Sequence, residues 1–211
     1  MKVLVTGAAG FIGSHVAEFL LERGDTVIGV DEVNDYYPVE YKNHNIALLQ
    51  NNPGFTFHKV DIGDYDALKE VWDDDITHVA HLAARAGVRY SIENPFVYEH
   101  SNVKGTLNIL ELSKNTTNVV VTSSSSVYGL SQSIPFTETD PMTDRTISPY
   151  AATKKACEVL AHTYHHIYGM NINVVRPFTV YGPRGRPDMV MWIFLEKALK
   201  GEPIPKFGDG T

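Results

Sequence analysis

Lys2-Val3-Leu4-Val5-Thr6 is a short apolar run that passes directly into Gly7-Ala8-Ala9-Gly10-Phe11-Ile12-Gly13 and then into a helical stretch ending near Arg23 and Gly24. Strand, glycine turn and helix in that order leave few folds open. Glycines permit a tight turn and close backbone approach, while the helix N-terminus offers N–H donors and a positive dipole to a pyrophosphate. The spacing is G-x-x-G-x-x-G rather than the commoner G-x-G-x-x-G, and a turn serving only helix-on-strand packing would read the same. The next strand, Thr26 to Val30, ends at Asp31. A carboxylate there would accept hydrogen bonds from an adenosine ribose and repel a 2′-phosphate, which favours NAD over NADP.

The rest of the chain keeps the alternation. Further strands are expected at Phe55 to Val60, Thr77 to Leu82, Asn118 to Thr122 and Asn171 to Arg176, with helices between them. That rhythm predicts an α/β fold with a doubly wound parallel sheet. Asn34 to Asn52 reads as a loop and a modest helix, Pro95 to Lys114 as one long helix, and Met191 to Leu199 as a last one. Asp61-Ile62 closes the third strand, placed either to meet an adenine edge or to cap a helix starting near Tyr65. After the fourth strand, Ala83 to Tyr90 reads as a loop of small residues carrying Arg85 and Arg89. Ser123 to Ser126 sit at a strand's carboxyl end, where ligands of open parallel sheets bind, although a serine-rich turn is common. Ser148-Pro149-Tyr150-Ala151-Ala152-Thr153-Lys154 starts a helix that Gly169 stops. Tyr150 and Lys154 are one turn apart on one face, so a cation would favour the phenolate and make a base. Arg184 and Arg186 lie on a glycine-proline loop suited to a phosphate or carboxylate.

Composition narrows the function classes. A net charge of −7 and a pI near 5.7, without a clustered basic stripe, argue against nucleic-acid binding. No apolar run reaches membrane-span length and no secretory leader is visible, so a cytoplasmic protein is expected. The single Cys157 excludes an internal disulfide and reads as a buried helix residue. His78 and His81 are three apart on a strand and face opposite sides. His162 and His166 share a helix face that reads as solvated, and no metal site is expected.

Taken together, Gly7/Gly10/Gly13, Asp31, Asp61-Ile62, His81-Leu82-Ala83-Ala84, the serine run, Tyr150/Lys154 and Arg176-Pro177-Phe178 resemble the extended short-chain dehydrogenase/reductase family. The match spans essentially the whole chain, and the nucleotide-sugar epimerases are the most similar branch. Asn34-Asp35-Tyr36-Tyr37, Ala86-Gly87-Val88-Arg89-Tyr90-Ser91 with Asn94-Pro95, and Phe178 through Met189 resemble the group acting at carbon 4 of UDP-glucuronate. The resemblance implies a Rossmann domain over residues 1–176 and the start of a substrate-binding region over 177–211. It assigns NAD contacts to Gly7, Gly10, Phe11, Ile12, Gly13, Asp31, Asp61, Ile62, Leu82, Ala83, Ala84, Tyr150 and Lys154. It assigns catalysis to Ser124, Tyr150 and Lys154. UDP-sugar contacts fall to Arg89, Ser124, Ser125, Ser126, Tyr150, Thr179 and Arg186.

The implied chemistry is epimerisation through a 4-keto sugar, UDP-glucuronate to UDP-galacturonate. Tyr150, held ionisable by Lys154, would take the 4-hydroxyl proton while carbon 4 gives hydride to NAD+. A 4-keto uronic acid can lose carbon dioxide, so the neutral donors Ser125, Ser126 and Thr179 would hold its carboxylate out of alignment, and Arg186 would help fix the substrate. Related dehydratases and decarboxylases carry an acidic residue where Ser126 precedes Val127-Tyr128-Gly129. Family members continue past residue 211, so this chain is expected to bind NAD with little turnover alone. Two other readings are a non-catalytic NAD-binding or sensing module and a decarboxylase or dehydratase. The family also implies a homodimer through the helices at Pro95 to Lys114 and Ser148 to Tyr168.

Overall fold

The computed structural model describes residues 1–206, and Phe207-Gly208-Asp209-Gly210-Thr211 lies outside the described residues. Six strands, β1 (Lys2–Thr6), β2 (Thr26–Asp31), β3 (Phe55–Lys59), β4 (His78–His81), β5 (Asn118–Thr122) and β6 (Ile172–Val175), form one sheet in the order β3-β2-β1-β4-β5-β6. Every neighbouring pair is parallel. Parallel neighbours need crossovers, which the intervening helices provide. The strand order reverses between β1 and β4, and that reversal opens a crevice at the carboxyl ends of the two strands.

The strands read as unbroken apolar runs because both sheet faces are covered. Val3 and Val5 of β1 pack on one side with Ala17, Leu20 and Leu21 of α1 (Phe11–Glu22). Leu4 points the other way, into a core with Val79, Ile109, Val121, Cys157 and Tyr164. Burying a side chain of this kind contributes about 2 kcal/mol. The second core is built from α6 (Gly105–Leu112) and α7 (Pro149–Tyr168). Cys157 is fully buried there.

Three local expectations change. The stretch from Pro95 is α5 (Pro95–Tyr98), a π-helical turn (Glu99–Lys104) and then α6, which ends at Leu112. A π turn is a local packing solution that a 3.6-residue pattern cannot announce. The small-residue loop after β4 is shorter than expected, because Val88–Glu93 is itself helical and forms α4. Finally, α3 (Tyr65–Glu70) is capped by Asp64, whose carboxylate accepts a 3.1 Å hydrogen bond from Ala67 N. Asp61 is therefore released from the capping role. Two further helices, α2 (Val39–Gln50) and α8 (Val190–Lys200), complete the α-helices of the described residues.

Candidate active site

A cleft of about 670 Å³ opens at the carboxyl ends of the strands, and every residue to which the resemblance assigns a cofactor, catalytic or substrate role lines it. Its floor is the glycine turn. Gly7 has φ +71°, and a Cβ there would lie 2.9 Å from Ala83 N. A Cβ on Gly13 would lie 2.0 Å from the Gly7 carbonyl oxygen, so α1 approaches the turn as only glycine permits. The N-cap of α1 is Gly10, with no side chain spent on the first-turn N–H groups. Those donors remain available to an anion.

Asp31 ends β2 facing this turn. Its carboxylate accepts from Ala9 N at 3.2 Å and Val33 N at 2.8 Å. Burial nevertheless pushes its pKa up, against those bonds and the nearby Lys42. Lys42 and Asn45 of α2 are buried supports that sequence reasoning missed, because α2 shows little apolar periodicity. Lys42 Nζ donates to Asn34 O at 2.8 Å and to Asn34 Oδ1 at 2.9 Å, and burial lowers its pKa. Asn45 Nδ2 donates to Ala9 O at 2.9 Å and so holds the glycine turn from behind.

The opposite wall, Leu82-Ala83-Ala84, hangs from Thr6. The Thr6 hydroxyl accepts from Leu82 N at 3.2 Å and Ala83 N at 3.1 Å, and lies 2.8 Å from His81 Nδ1. With its oxygen serving two donors, the Thr6 O–H donates to Nδ1. His81 Nε2–H then donates to Thr106 Oγ1 at 2.9 Å, and Thr106 to Cys157 Sγ at 3.2 Å. Burial, aided by the Lys154 charge, depresses the His81 pKa to about 3. His81 is a neutral strut beneath the cleft, whereas His78 is half-buried and bonds Thr77 Oγ1 at 2.8 Å. His162 and His166 of α7 are exposed.

The second half of the cleft brings α7 and the serine run together. Ser148 caps α7, accepting from Ala151 N at 3.1 Å, and Pro149 occupies the first turn. That start aims Tyr150 and Lys154 into the cleft. Lys154 is buried and donates to Thr122 O at 2.7 Å. The Tyr150 ring packs edge-on against Tyr98, with centroids 6.0 Å apart. Ser124 caps the short 3-10 turn Ser125–Tyr128, and its hydroxyl lies 3.2 Å from Ser126 Oγ. Ser123 also lines the cleft, and its hydroxyl donates to Glu158 Oε1 at 2.6 Å. Arg176 grips the same carboxylate through Nε and one terminal nitrogen, both at 2.7 Å. Burial opposes the Glu158 charge, but Arg176 and Ser123 outweigh it and hold the carboxyl below its usual range. Arg176 therefore braces the serine turn rather than lining the cleft.

The two arginines of the glycine-proline loop part company. Arg184 pairs with Glu18 of α1 and lies outside the cleft. Arg186 lines it, bonded through Nε to Asp188 at 2.9 Å, with its guanidinium 5.5 Å from the centre of the Tyr36 ring. Arg85 lies 6.0 Å from the centre of the same ring and pairs with Glu32 at 3.2 Å. Arg89 is exposed at the rim. Glu32, Tyr36 and Arg85 join three loops around the cleft mouth. Sequence reasoning gave none of them a site role, since each needs a partner distant in the chain.

This sheet order, glycine turn, terminal carboxylate and Tyr/Lys helix define a dinucleotide-binding short-chain dehydrogenase/reductase fold. The chain belongs to the NAD dependent epimerase/dehydratase family, whose family model matches residues 3–211. It is 52% identical over 211 residues to the UDP-glucuronate 4-epimerase of Thermodesulfobacterium geofontis (strain OPF15), an alignment covering 99% of this chain and 65% of that protein. It is 51% identical over 211 residues to UDP-glucuronate 4-epimerase 2 of Arabidopsis thaliana, covering 98% of this chain and 48% of that protein. The chain thus spans between about half and about two thirds of the length of these relatives. Among solved structures, it resembles the UDP-glucuronic acid 4-epimerase from Bacillus cereus in complex with UDP-glucuronic acid and NAD. The TM-score is 0.88 at 39% identity, covering 100% of this chain and 67% of that one. A dTDP-glucose 4,6-dehydratase from Streptomyces venezuelae gives 0.89 at 33% identity, covering 100% and 66%.

Proposed function

We propose that this chain forms the cofactor and catalytic half of an NAD-dependent UDP-sugar 4-epimerase, with UDP-glucuronate as the sugar nucleotide. The observation that carries the reading is the convergence of Tyr150, Lys154 and Ser124 on one cleft with the glycine turn and Asp31. A sensor of the cofactor would need only the last two. The residues fit NAD on structural grounds: Gly7 and Gly13 leave room that a Cβ would fill, and Asp31 stands at the end of β2 as a ribose acceptor.

In this reading Gly7, Gly10, Phe11, Ile12 and Gly13 hold the pyrophosphate, Asp31 the adenosine ribose, and Asp61 and Ile62 the adenine. Leu82, Ala83 and Ala84 wall the far side. Bound NAD+ supplies a hydride acceptor and donor for carbon 4 of the sugar. Tyr150 takes the proton of the 4-hydroxyl and later returns it, with Ser124 hydrogen-bonded to the same oxygen. Lys154 stabilises the phenolate by charge, and its bond to Thr122 O keeps the ammonium in place. Ser125, Ser126 and Thr179 hold the uronate carboxylate, Arg186 helps fix the substrate, and Arg89 meets it at the rim. We assign residues 1–176 to the NAD-binding domain and the segment from 177 onward to the start of the substrate-binding region.

Ser126 favours epimerisation over loss of carbon dioxide, because a neutral hydroxyl stands where an acid would serve dehydration or decarboxylation. The test is NAD+ binding by the 211-residue chain, with proton NMR of products from UDP-glucuronate, UDP-glucose and UDP-galactose. UDP-galacturonate from UDP-glucuronate is expected. Turnover should be slow, since the chain spans only about half to two thirds of the length of the epimerases it resembles. A pentose product with released carbon dioxide, or no NAD+ binding, would overturn the reading.

A further inference from the structure

The loop after β3 is docked on the π-helical turn and on α6, which follows it. His100 Nε2 lies 2.8 Å from Asp61 Oδ2, and since a carboxylate only accepts, the imidazole donates through Nε2–H. The other carboxylate oxygen accepts from Gly63 N at 2.8 Å. A Cβ on Gly63 would lie 2.2 Å from His100 Nε2, so Gly63 is what lets the ring approach. Asn108 Nδ2 donates to Ile62 O at 2.8 Å, and a Cβ on Gly105 would strike Ile62 Cδ1 at 2.6 Å. Asp61 lines the cleft, whereas His100 stands behind it and does not.

The next residues of the π turn face the same region. Ser101 lines the cleft, and Asn102 binds Arg85 N at 2.8 Å through Oδ1 and Arg85 O at 3.1 Å through Nδ2. The π turn thus orients consecutive side chains toward two walls of the site, a use for which such turns are known.

We propose that His100 is a positioning residue for base recognition: it holds the Asp61 carboxylate toward the 6-amino group of the cofactor's adenine. The inference rests on the proposed NAD site and deepens it. Oδ1 accepts from Gly63 and Oδ2 from His100, so both oxygens are tied while the Asp61 side chain stays 37% exposed on the cleft wall. An aligned carboxylate rewards an amino donor and penalises a 6-oxo acceptor. Released from His100, it would turn toward water and discriminate less.

The experiment compares dissociation constants for NAD+ and its 6-oxo analogue, nicotinamide hypoxanthine dinucleotide, in the wild-type chain, His100→Ala, His100→Gln and Asp61→Asn. The wild-type chain should prefer NAD+ by about tenfold, the size of one well-placed charged hydrogen bond. His100→Ala should lower that ratio by about fivefold, almost wholly through weaker NAD+ binding. His100→Gln, which keeps a donor, should restore most of it, and Asp61→Asn should lose it. Equal weakening for both dinucleotides in His100→Ala would mark a merely structural role and overturn the proposal, as would an unchanged ratio. If the wild-type chain bound neither dinucleotide, the functional reading itself would fall and take this inference with it. If it bound both with equal affinity, only the role of Asp61 and His100 would fall.

Discussion

His81 shows how one buried side chain couples the cleft to pH. Its folded pKa of about 3 lies below the ordinary value of 6.5. Between those values the unfolded chain binds the extra proton, so stability is full above about pH 6.5 and is lost as pH falls toward 3. Thermal unfolding followed from pH 8 to 5 should show a midpoint falling below about pH 6.5, and His81→Gln should flatten that limb. Asp31 makes a different residue-scale prediction. Asp31→Ser should weaken NAD+ binding about tenfold while bringing NADP+ to comparable affinity, because the ribose acceptor and the repulsive charge vanish together. Equilibrium titration with both cofactors measures this, and retained preference for NAD+ would show that Asp31 does not set it.

At the scale of elements, the tightest joint is α1 against the glycine turn. Gly13→Ala puts a methyl group 2.0 Å from a backbone oxygen that cannot swing aside. It should cost about 3 kcal/mol and abolish NAD+ binding. Gly24→Ala is the control, since its φ is +91° but nothing lies within 4 Å. It should cost about 1 kcal/mol and leave cofactor binding intact. Denaturant melts paired with a binding isotherm separate the two. A second joint ties β6, α7 and the serine turn through Arg176, Glu158 and Ser123. Glu158→Ala leaves the Arg176 guanidinium without a counter-ion, holding only the Glu138 carbonyl at 3.3 Å and the Tyr128 ring, and should destabilise by about 3 kcal/mol, with Glu158→Gln intermediate. Unfolding free energies of the two variants give the check.

For the molecule as a whole, the sheet ends on β6, whose outer edge carries no further strand among the described residues. Val174 and Val175 are 39% and 43% exposed, and Met191, Leu195 and Leu199 of α8 are exposed as well. An open apolar edge is a template for pairing between chains. The 211-residue chain should therefore self-associate with rising concentration, and Val175→Lys should suppress this while leaving the cleft unchanged. Light scattering beside an NAD+ titration tests both halves of the statement.

Much of this protein was legible in the sequence. The apolar runs and their alternation with helices reported the parallel sheet, since strands covered on both faces need no polar residues. The Gly7/Gly13 spacing and Asp31 were legible because glycine clearance and a strand-end carboxylate are local requirements. So were Ser148, Pro149, Tyr150 and Lys154, which act within one turn of helix. The π turn, the Thr6 and His81 strut, the Arg176 clamp on Glu158 and the His100 contact with Asp61 were not. Each joins residues far apart in the chain, and its chemistry depends on a distance or a burial that no local pattern contains. The sequence determined which groups are present and which helix or strand carries them. Only packing decided that Arg184 leaves the cleft, that His81 stays neutral beneath it, and that Asp61 is held by a histidine instead of capping a helix.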